Sequence, residues 1–134
     1  MGSQIRPRIL VIEDDESVTR MLRFSFDRAS FDTTQLRTGG EALRILERQP
    51  PDAVVLDLQL PDGQGGAVLN RLRQLDEAAS GSPVWVVISA LDRAEATRRY
   101  GPLGNHFLTK PFDPWELVAM LKHLLLAKGE PQQR

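Results

Sequence analysis

The sequence predicts an α/β protein whose parallel sheet is covered by helices on both faces. Short, almost continuous apolar runs alternate five times with stretches whose apolar residues recur at helical spacing. Strands of that kind are typical of a parallel sheet that is buried on both sides. The chain has 134 residues, of which 41% are hydrophobic and 26% are charged, and this composition suits one globular domain.

The first two strand and helix pairs occupy the opening third of the chain. The apolar run at 9–12 is too short for a helix and is predicted to be a strand. The helix after it is marked by spaced residues with small or apolar side chains: Val18, Met21, Leu22, Ser25 and Ala29. A weaker strand is predicted at 31–36. The next helix begins at Gly39-Gly40 and ends before Pro50-Pro51, because proline cannot continue a helix.

The middle of the chain repeats this pattern. An apolar strand at 53–56 ends in Asp57, and Pro61-Asp62-Gly63 signals a turn. The helix after the turn is marked by four apolar residues: Val68, Leu69, Leu72 and Leu75. A loop is predicted at 78–83, followed by the most strongly apolar strand at 84–88.

The last part of the chain contains the best-marked helix. A charged helix near 93–100 and a short strand at 105–108 precede it. Asp113 suits its N-cap, Pro114 its first position and Glu116 the position of a capping-box acid. Its buried stripe is predicted to consist of these residues: Leu117, Val118, Leu121, Leu124 and Leu125.

Composition excludes several classes of protein. A net charge of −1 argues against a broad nucleic-acid or membrane surface, and the absence of cysteine excludes disulfides and thiolate metal sites. No apolar run approaches the ~20 residues of a membrane helix, and no signal peptide is visible, so a cytoplasmic location is expected. We predict an N-terminal extension at 1–7 that could include a cloning remnant, a folded domain at 8–127, and a polar tail or linker start at 128–134.

Polar side chains stand where four of the predicted strands end. They are Glu13-Asp14-Asp15, Asp57, Ser89 and Lys110. Ligands of open parallel sheets bind at the carboxyl ends of the strands. Three adjacent acids repel one another and need a positive partner. Because carboxylates without cysteine or a nearby histidine form an oxygen site, the sequence favours Mg²⁺ over zinc there. Asp15 is interpreted as an acid that favours the start of the first helix.

Four stretches at these strand ends together resemble the receiver domain of bacterial two-component response regulators. They are Val11–Asp15, Leu56–Gly63, Ile88–Ala90 and Phe107–Phe112. Each stretch is weak alone, but four in the right order are specific, and the resemblance extends from Arg8 to Lys128. It implies a doubly wound (βα)5 flavodoxin-like fold with five parallel strands in the order 2-1-3-4-5.

The resemblance also implies a phosphoacceptor and a metal site. Asp57 would accept a phosphoryl group from a phosphohistidine on a sensor histidine kinase or a histidine phosphotransfer protein. Glu13 and Asp14 would hold Mg²⁺ together with Asp57, with Asp14 nearer the metal and Glu13 acting through water. The backbone carbonyl of Gln59 would be a further ligand.

Three more roles follow from the same resemblance. Ser89 would hydrogen-bond the phosphoryl group, and Lys110 would pair with it. Phe107 occupies the position of an aromatic switch, and the bond between Lys110 and Pro111 is expected to be cis. Phosphorylation would change the face formed by the fourth helix, the fifth strand and the fifth helix, where an effector or a second copy of the chain would bind. No direct contact with nucleic acid or a membrane is expected.

Some residues depart from the family pattern. Leu91 is apolar where many receivers have a polar residue, and the stretch 100–106 lacks the usual Gly-Ala-Asp. Phe107 lacks a hydroxyl, so a switch there would work by packing alone.

Two alternatives stay open: a Mg²⁺-dependent phosphohydrolase that forms an aspartyl phosphate, and a degenerate receiver that serves only as a binding scaffold. Gln59, where such a hydrolase would have a second acid, disfavours the first, and the intact site residues disfavour the second.

Other conspicuous residues have ordinary structural interpretations. Trp85 and Phe112 are expected in the core. Arg93, Arg98 and Arg99 are expected on a solvated helix face, although a partner surface is an alternative.

Overall fold

The computed structural model describes residues 6–77, 81–104 and 106–129. The chain alternates strands and helices, as the sequence predicts. The strands are β1 (Arg8–Ile12), β2 (Asp32–Leu36), β3 (Ala53–Asp57), β4 (Val84–Ser89) and β5 (Phe107–Thr109). The helices are α1 (Glu16–Arg28), α2 (Gly39–Arg48), α3 (Gly65–Glu77), α4 (Arg93–Tyr100) and α5 (Pro114–Gly129).

The five strands form one parallel sheet in the order β2-β1-β3-β4-β5, which confirms the predicted order. The register keeps the carboxyl ends of neighbouring strands nearly level. Ile12 lies beside Leu36 of β2 and Leu56 of β3, and Ser89 lies beside Thr109. Residues that follow these strands therefore meet at one edge of the sheet.

The core has two layers, one on each face of the sheet. Successive side chains of a strand point to opposite faces, so Leu10 and Ile12 pack against α2, α3 and α4, whereas Ile9 and Val11 pack against α1 and α5. Every residue of β3 is buried, as a central strand covered on both faces requires. Among the described residues, no helix combines the length and the apolar character needed to cross a membrane.

The start of β5 and the burial of two aromatic residues differ from the sequence expectations. β5 begins at Phe107 rather than at 105, because the left-handed backbone of Gly104 (φ 75°) turns the chain and pairing with β4 begins opposite Val87. Asn105 lies outside the described residues. Trp85 is only partly buried, since its Nε1 donates a hydrogen bond to Asp76 at the surface over 2.8 Å. Phe112 is also only partly buried, although it packs against the α1–α5 side of the core.

Candidate phosphoacceptor site

The polar side chains that end the strands meet at the carboxyl edge of the sheet. Asp57 and Ser89 are the last residues of β3 and β4. Glu13 and Lys110 directly follow β1 and β5, and backbone hydrogen bonds hold both in place. The N–H of Glu13 donates to the carbonyl of Leu36 over 2.9 Å, and that of Lys110 donates to the carbonyl of Ser89 over 2.8 Å.

Three carboxylates form a compact cluster at this edge. Glu13, Asp14 and Asp57 each offer one oxygen atom, and these atoms lie within 4.8 Å of one another. Glu13 is 1% exposed and Asp57 is 4% exposed, so their charges are costly unless a cation compensates them. Oε1 of Glu13 is buried, and among the described residues its close polar contact is the ammonium group of Lys110. A donor set that consists only of carboxylate oxygens fits a hard cation such as Mg²⁺.

Lys110 supplies the one cation in direct contact with these acids in the described structure. Its Nζ lies 2.7 Å from Oε1 of Glu13 and 3.2 Å from Oδ2 of Asp57. Burial acts to lower the pKa of Lys110, but the hydrogen bond to Glu13 and the charge of Asp57 outweigh it, and the pKa is raised. Burial raises the pKa of Glu13, and the contact with Lys110 opposes that rise. The peptide bond between Lys110 and Pro111 is cis, as expected from the resemblance.

The carboxylate of Asp57 is oriented from two sides. Oδ1 accepts a hydrogen bond from the backbone N–H of Gln59 over 3.0 Å, while Oδ2 faces Lys110. The side chain of Gln59 is exposed. A ligand role for its backbone carbonyl stays a prediction.

Ser89, the last residue of β4, is fully buried, at 0% exposure. Its Oγ accepts a hydrogen bond from the backbone N–H of Leu91 over 3.0 Å. Because a hydroxyl can accept and donate at once, its hydrogen can still be donated to an incoming oxygen atom.

Asp15 belongs to the helix rather than to the cluster. Its Oδ1 accepts hydrogen bonds from the backbone N–H and the hydroxyl of Ser17, which makes it the N-cap of α1. The sequence predicts an acid at this helix start, although not its capping role. Its own N–H donates to Oε2 of Glu13 over 3.0 Å. The cap thus helps to hold the Glu13 carboxylate in position.

The structure shows a contact of Arg93 that the sequence does not predict. Arg93 places its guanidinium 5.2 Å from the centre of the Phe107 ring and donates a hydrogen bond to the carbonyl of Gly104 over 3.1 Å. Nothing in the local sequence predicts this contact, because it joins the start of α4 to β5. Arg98 and Arg99 instead pair with Glu95 on the exposed side of α4, in agreement with a solvated face.

Comparison with known proteins identifies relatives of this chain. The family model described as "Response regulator receiver domain" matches residues 9–122. The DNA-binding response regulator MtrA of Mycolicibacterium smegmatis is 35% identical over 118 residues, which cover 88% of this chain and 50% of MtrA. The alkaline phosphatase synthesis transcriptional regulatory protein PhoP of Bacillus subtilis is 30% identical, with 88% and 48% covered. The chain spans about half the length of the curated relatives it matches.

The solved structures that are similar to this chain include other response regulators and receiver domains. A putative response regulator from Chloroflexus aurantiacus superposes with a TM-score of 0.77 at 30% identity, covering 91% of this chain and 99% of that one. The receiver domain of the Francisella response regulator 1452 superposes with a TM-score of 0.76 at 29% identity, covering 91% and 98%.

Proposed function

The chain belongs to the response regulator receiver domain family, and we propose that Asp57 is its phosphoacceptor in a two-component signalling system. The observation that carries the proposal is the arrangement around this carboxylate. Oδ2 of Asp57 faces the ammonium group of Lys110 at 3.2 Å, and Glu13 and Asp14 lie beside it. An anionic nucleophile next to a cation and a cation-binding cluster suits phosphoryl transfer, which depends on positioning and charge stabilisation.

The proposed step is an in-line displacement at phosphorus. A carboxylate oxygen of Asp57 attacks the phosphorus atom of a phosphohistidine on a partner kinase or phosphotransfer protein. The new O–P bond makes an acyl phosphate, and the P–N bond breaks with its electron pair staying on the imidazole. Lys110 stabilises the charge on the phosphoryl oxygens, and the hydroxyl of Ser89 donates a hydrogen bond to one of them.

Glu13, Asp14 and Asp57 are the residues that would hold Mg²⁺, together with the backbone carbonyl of Gln59. When bound, the metal neutralises charge on the phosphoryl oxygens and offsets the repulsion among the three acids. Bound weakly through few protein ligands, it would keep several waters.

The phosphorylated state is proposed to be recognised at the face formed by α4, β5 and α5. New phosphoryl oxygens beside Asp57 would draw Ser89 toward them, and the space behind Ser89 would open. Phe107 would turn inward to fill that space, because an unfilled void forfeits packing contacts. An effector or a second copy of the chain would then bind the altered face.

The test is phosphorylation with Mg²⁺ and a small acyl phosphate, read by intact-mass spectrometry. We expect one added phosphoryl group on the parent and none on Asp57→Asn, whose side chain has nearly the same volume. Asp32→Asn, at an exposed site on β2, is the matched control and should be labelled as the parent is. Equal labelling of Asp57→Asn would refute the assignment.

A further inference from the structure

A second surface with unusual chemistry lies at the opposite edge of the sheet from Asp57. There β1 and β2 begin and α1 and α5 end. Two concavities of about 700 and 470 Å³ meet at this edge, and Arg6 and Phe31 line both of them. We call this surface the basal groove and define it by six residues: Arg6, Phe24, Arg28, Phe31, Lys122 and Leu126.

The basal groove concentrates positive charge in a protein whose net charge is −1. Five cationic residues line the two concavities: Arg6, Arg20, Arg23, Arg28 and Lys122. The acids there are Asp27 and Asp32, and Asp27 contacts Arg6 at 3.6 Å. Arg28 and Lys122 form no ion pair with an acid in the described ranges. The groove therefore has positive charge to offer to an acidic ligand.

Exposed apolar side chains collect in the same place. Of the three large hydrophobic residues that are well exposed in the described structure, Phe24 (59%) and Leu126 (70%) line the groove, and only Trp115 (47%) lies elsewhere. The guanidinium of Arg28 lies 4.9 Å from the centre of the Phe24 ring. Apolar side chains held exposed beside cations are typical of anchor points for a partner.

We propose that the basal groove binds an acidic amphipathic helix of a partner protein. The carboxylates of that helix would face Arg28 and Lys122, and its apolar side would cover Phe24 and Leu126. Charge complementarity with the cations of the groove favours an acidic ligand. The two exposed apolar residues favour a ligand that also has an apolar side.

The groove suits other ligands less well. A second copy of the chain would bring the same cations against these cations about a two-fold axis. A flat anionic bilayer would not reach into a concave surface. A nucleic acid presents a charged phosphate backbone and offers no apolar side to cover Leu126.

The test uses a synthetic helical peptide with glutamate on its polar side and leucine on its apolar side. In a titration followed by amide NMR, we expect the shift changes to centre on the groove. Arg28→Glu and Lys122→Glu should each weaken binding about tenfold, as should Leu126→Ser. Arg98→Glu, which reverses an exposed charge on α4, is the matched control and should bind as the parent does. All these sites are exposed, so circular dichroism should show an unchanged fold.

Several outcomes would overturn the proposal. It would be wrong if the peptide did not bind, if the shift changes centred on α4, or if Arg28→Glu bound the peptide as tightly as the parent does. Self-association of the protein through the groove, or binding to anionic vesicles but not to the peptide, would also overturn it. Asp57→Asn should bind the peptide as the parent does, so this experiment succeeds or fails independently of the phosphoacceptor assignment.

Discussion

Lys110 lies closer to Glu13 than to the proposed phosphoacceptor. Its Nζ is 2.7 Å from Oε1 of Glu13 and 3.2 Å from Oδ2 of Asp57. The side chain of Glu13 is fully buried and that of Lys110 is 20% exposed. The lysine thus compensates a buried acid before any phosphoryl group arrives.

We expect Glu13 and Lys110 to be energetically coupled. Lys110→Ala should destabilise the domain because it leaves the buried Glu13 carboxylate without its cation. Glu13→Gln should relieve much of that loss in the double variant. Urea unfolding of the four proteins near neutral pH should give an interaction free energy of about 1–3 kcal/mol. A value near zero would show that the contact contributes nothing to stability.

The acid cluster leads to a prediction about metal binding. Asp14→Ala should weaken Mg²⁺ binding at least about tenfold, because it removes an oxygen ligand from a set of few. Without Mg²⁺ the variant should be no less stable than the parent, since a like charge next to Glu13 and Asp57 is gone. Calorimetry measures the first effect and urea unfolding the second.

Asp15→Ala is the matched control for Asp14→Ala. It should bind Mg²⁺ nearly as well as the parent but lose about 1 kcal/mol of stability with the cap of α1. If Asp15→Ala lost Mg²⁺ binding while Asp14→Ala kept it, the division of roles between the two acids would be wrong.

The strand-end residues could be predicted from the sequence because each one lies within two residues of the end of a short apolar run. In a parallel sheet those ends meet at one edge whatever the loops between them do. The sequence therefore predicts that Glu13, Asp57, Ser89 and Lys110 lie together. The chemical roles of these residues came from the family resemblance rather than from the spacing.

Contacts between distant loops could not be predicted in the same way. Pro61-Asp62-Gly63 indicates a turn, but nothing local shows that Asp62 reaches the start of α2, 23 residues earlier in the chain. Nothing in the local sequence shows that Gly65 lies against another part of the backbone, yet a Cβ atom there would lie 2.0 Å from the carbonyl oxygen of Leu58. Such close approaches depend on tertiary packing, which periodicity and turn signals do not describe.

Asp62 gives rise to a pH-dependent prediction. Its carboxylate accepts hydrogen bonds from the backbone N–H groups of Gly40 (3.0 Å), Gly39 (3.2 Å) and Gln64 (3.2 Å). These bonds, that of Gly40 above all, lower the pKa of Asp62 from its ordinary value of 3.8. A carboxyl whose pKa is lower in the folded state contributes stability above its unfolded pKa, and that stability is lost as the pH falls through the folded pKa.

Asp62→Ala should therefore be less stable than the parent near neutral pH, and the difference should shrink as the pH falls below about 4. Urea unfolding at several pH values measures the difference directly. Asp32→Ala, which removes an exposed carboxylate with no side-chain hydrogen bond in the described structure, is the control and should lose less stability near neutral pH. If the free energy of unfolding of Asp62→Ala stayed below that of the parent by a constant or growing amount on acidification, the role of the ionised carboxylate would be contradicted.

The contact between Arg93 and Phe107 bears on the proposed switch. The guanidinium lies over the ring at 5.2 Å and is fixed by a hydrogen bond to the carbonyl of Gly104. An exposed contact of this kind is worth about 0.5–1 kcal/mol. Since Phe107 would leave the arginine when it turns inward behind Ser89, this contact would favour the resting position of the proposed switch.

Arg93→Ala should therefore shift the equilibrium toward the inward position of Phe107 by about two- to fivefold. We expect the variant to bind the phosphate mimic beryllofluoride correspondingly more tightly in an NMR titration with Mg²⁺. Arg98→Ala is the matched control, because Arg98 lies on the same helix but pairs with Glu95 rather than with the ring.

If Arg93→Ala bound beryllofluoride as the parent does, or more weakly, the arginine would not hold the resting state. A ligand shifts such an equilibrium only through its different affinities for the two states. Unchanged affinity of Arg93→Ala would therefore mean that, in the parent, occupation of the site does not separate Phe107 from Arg93.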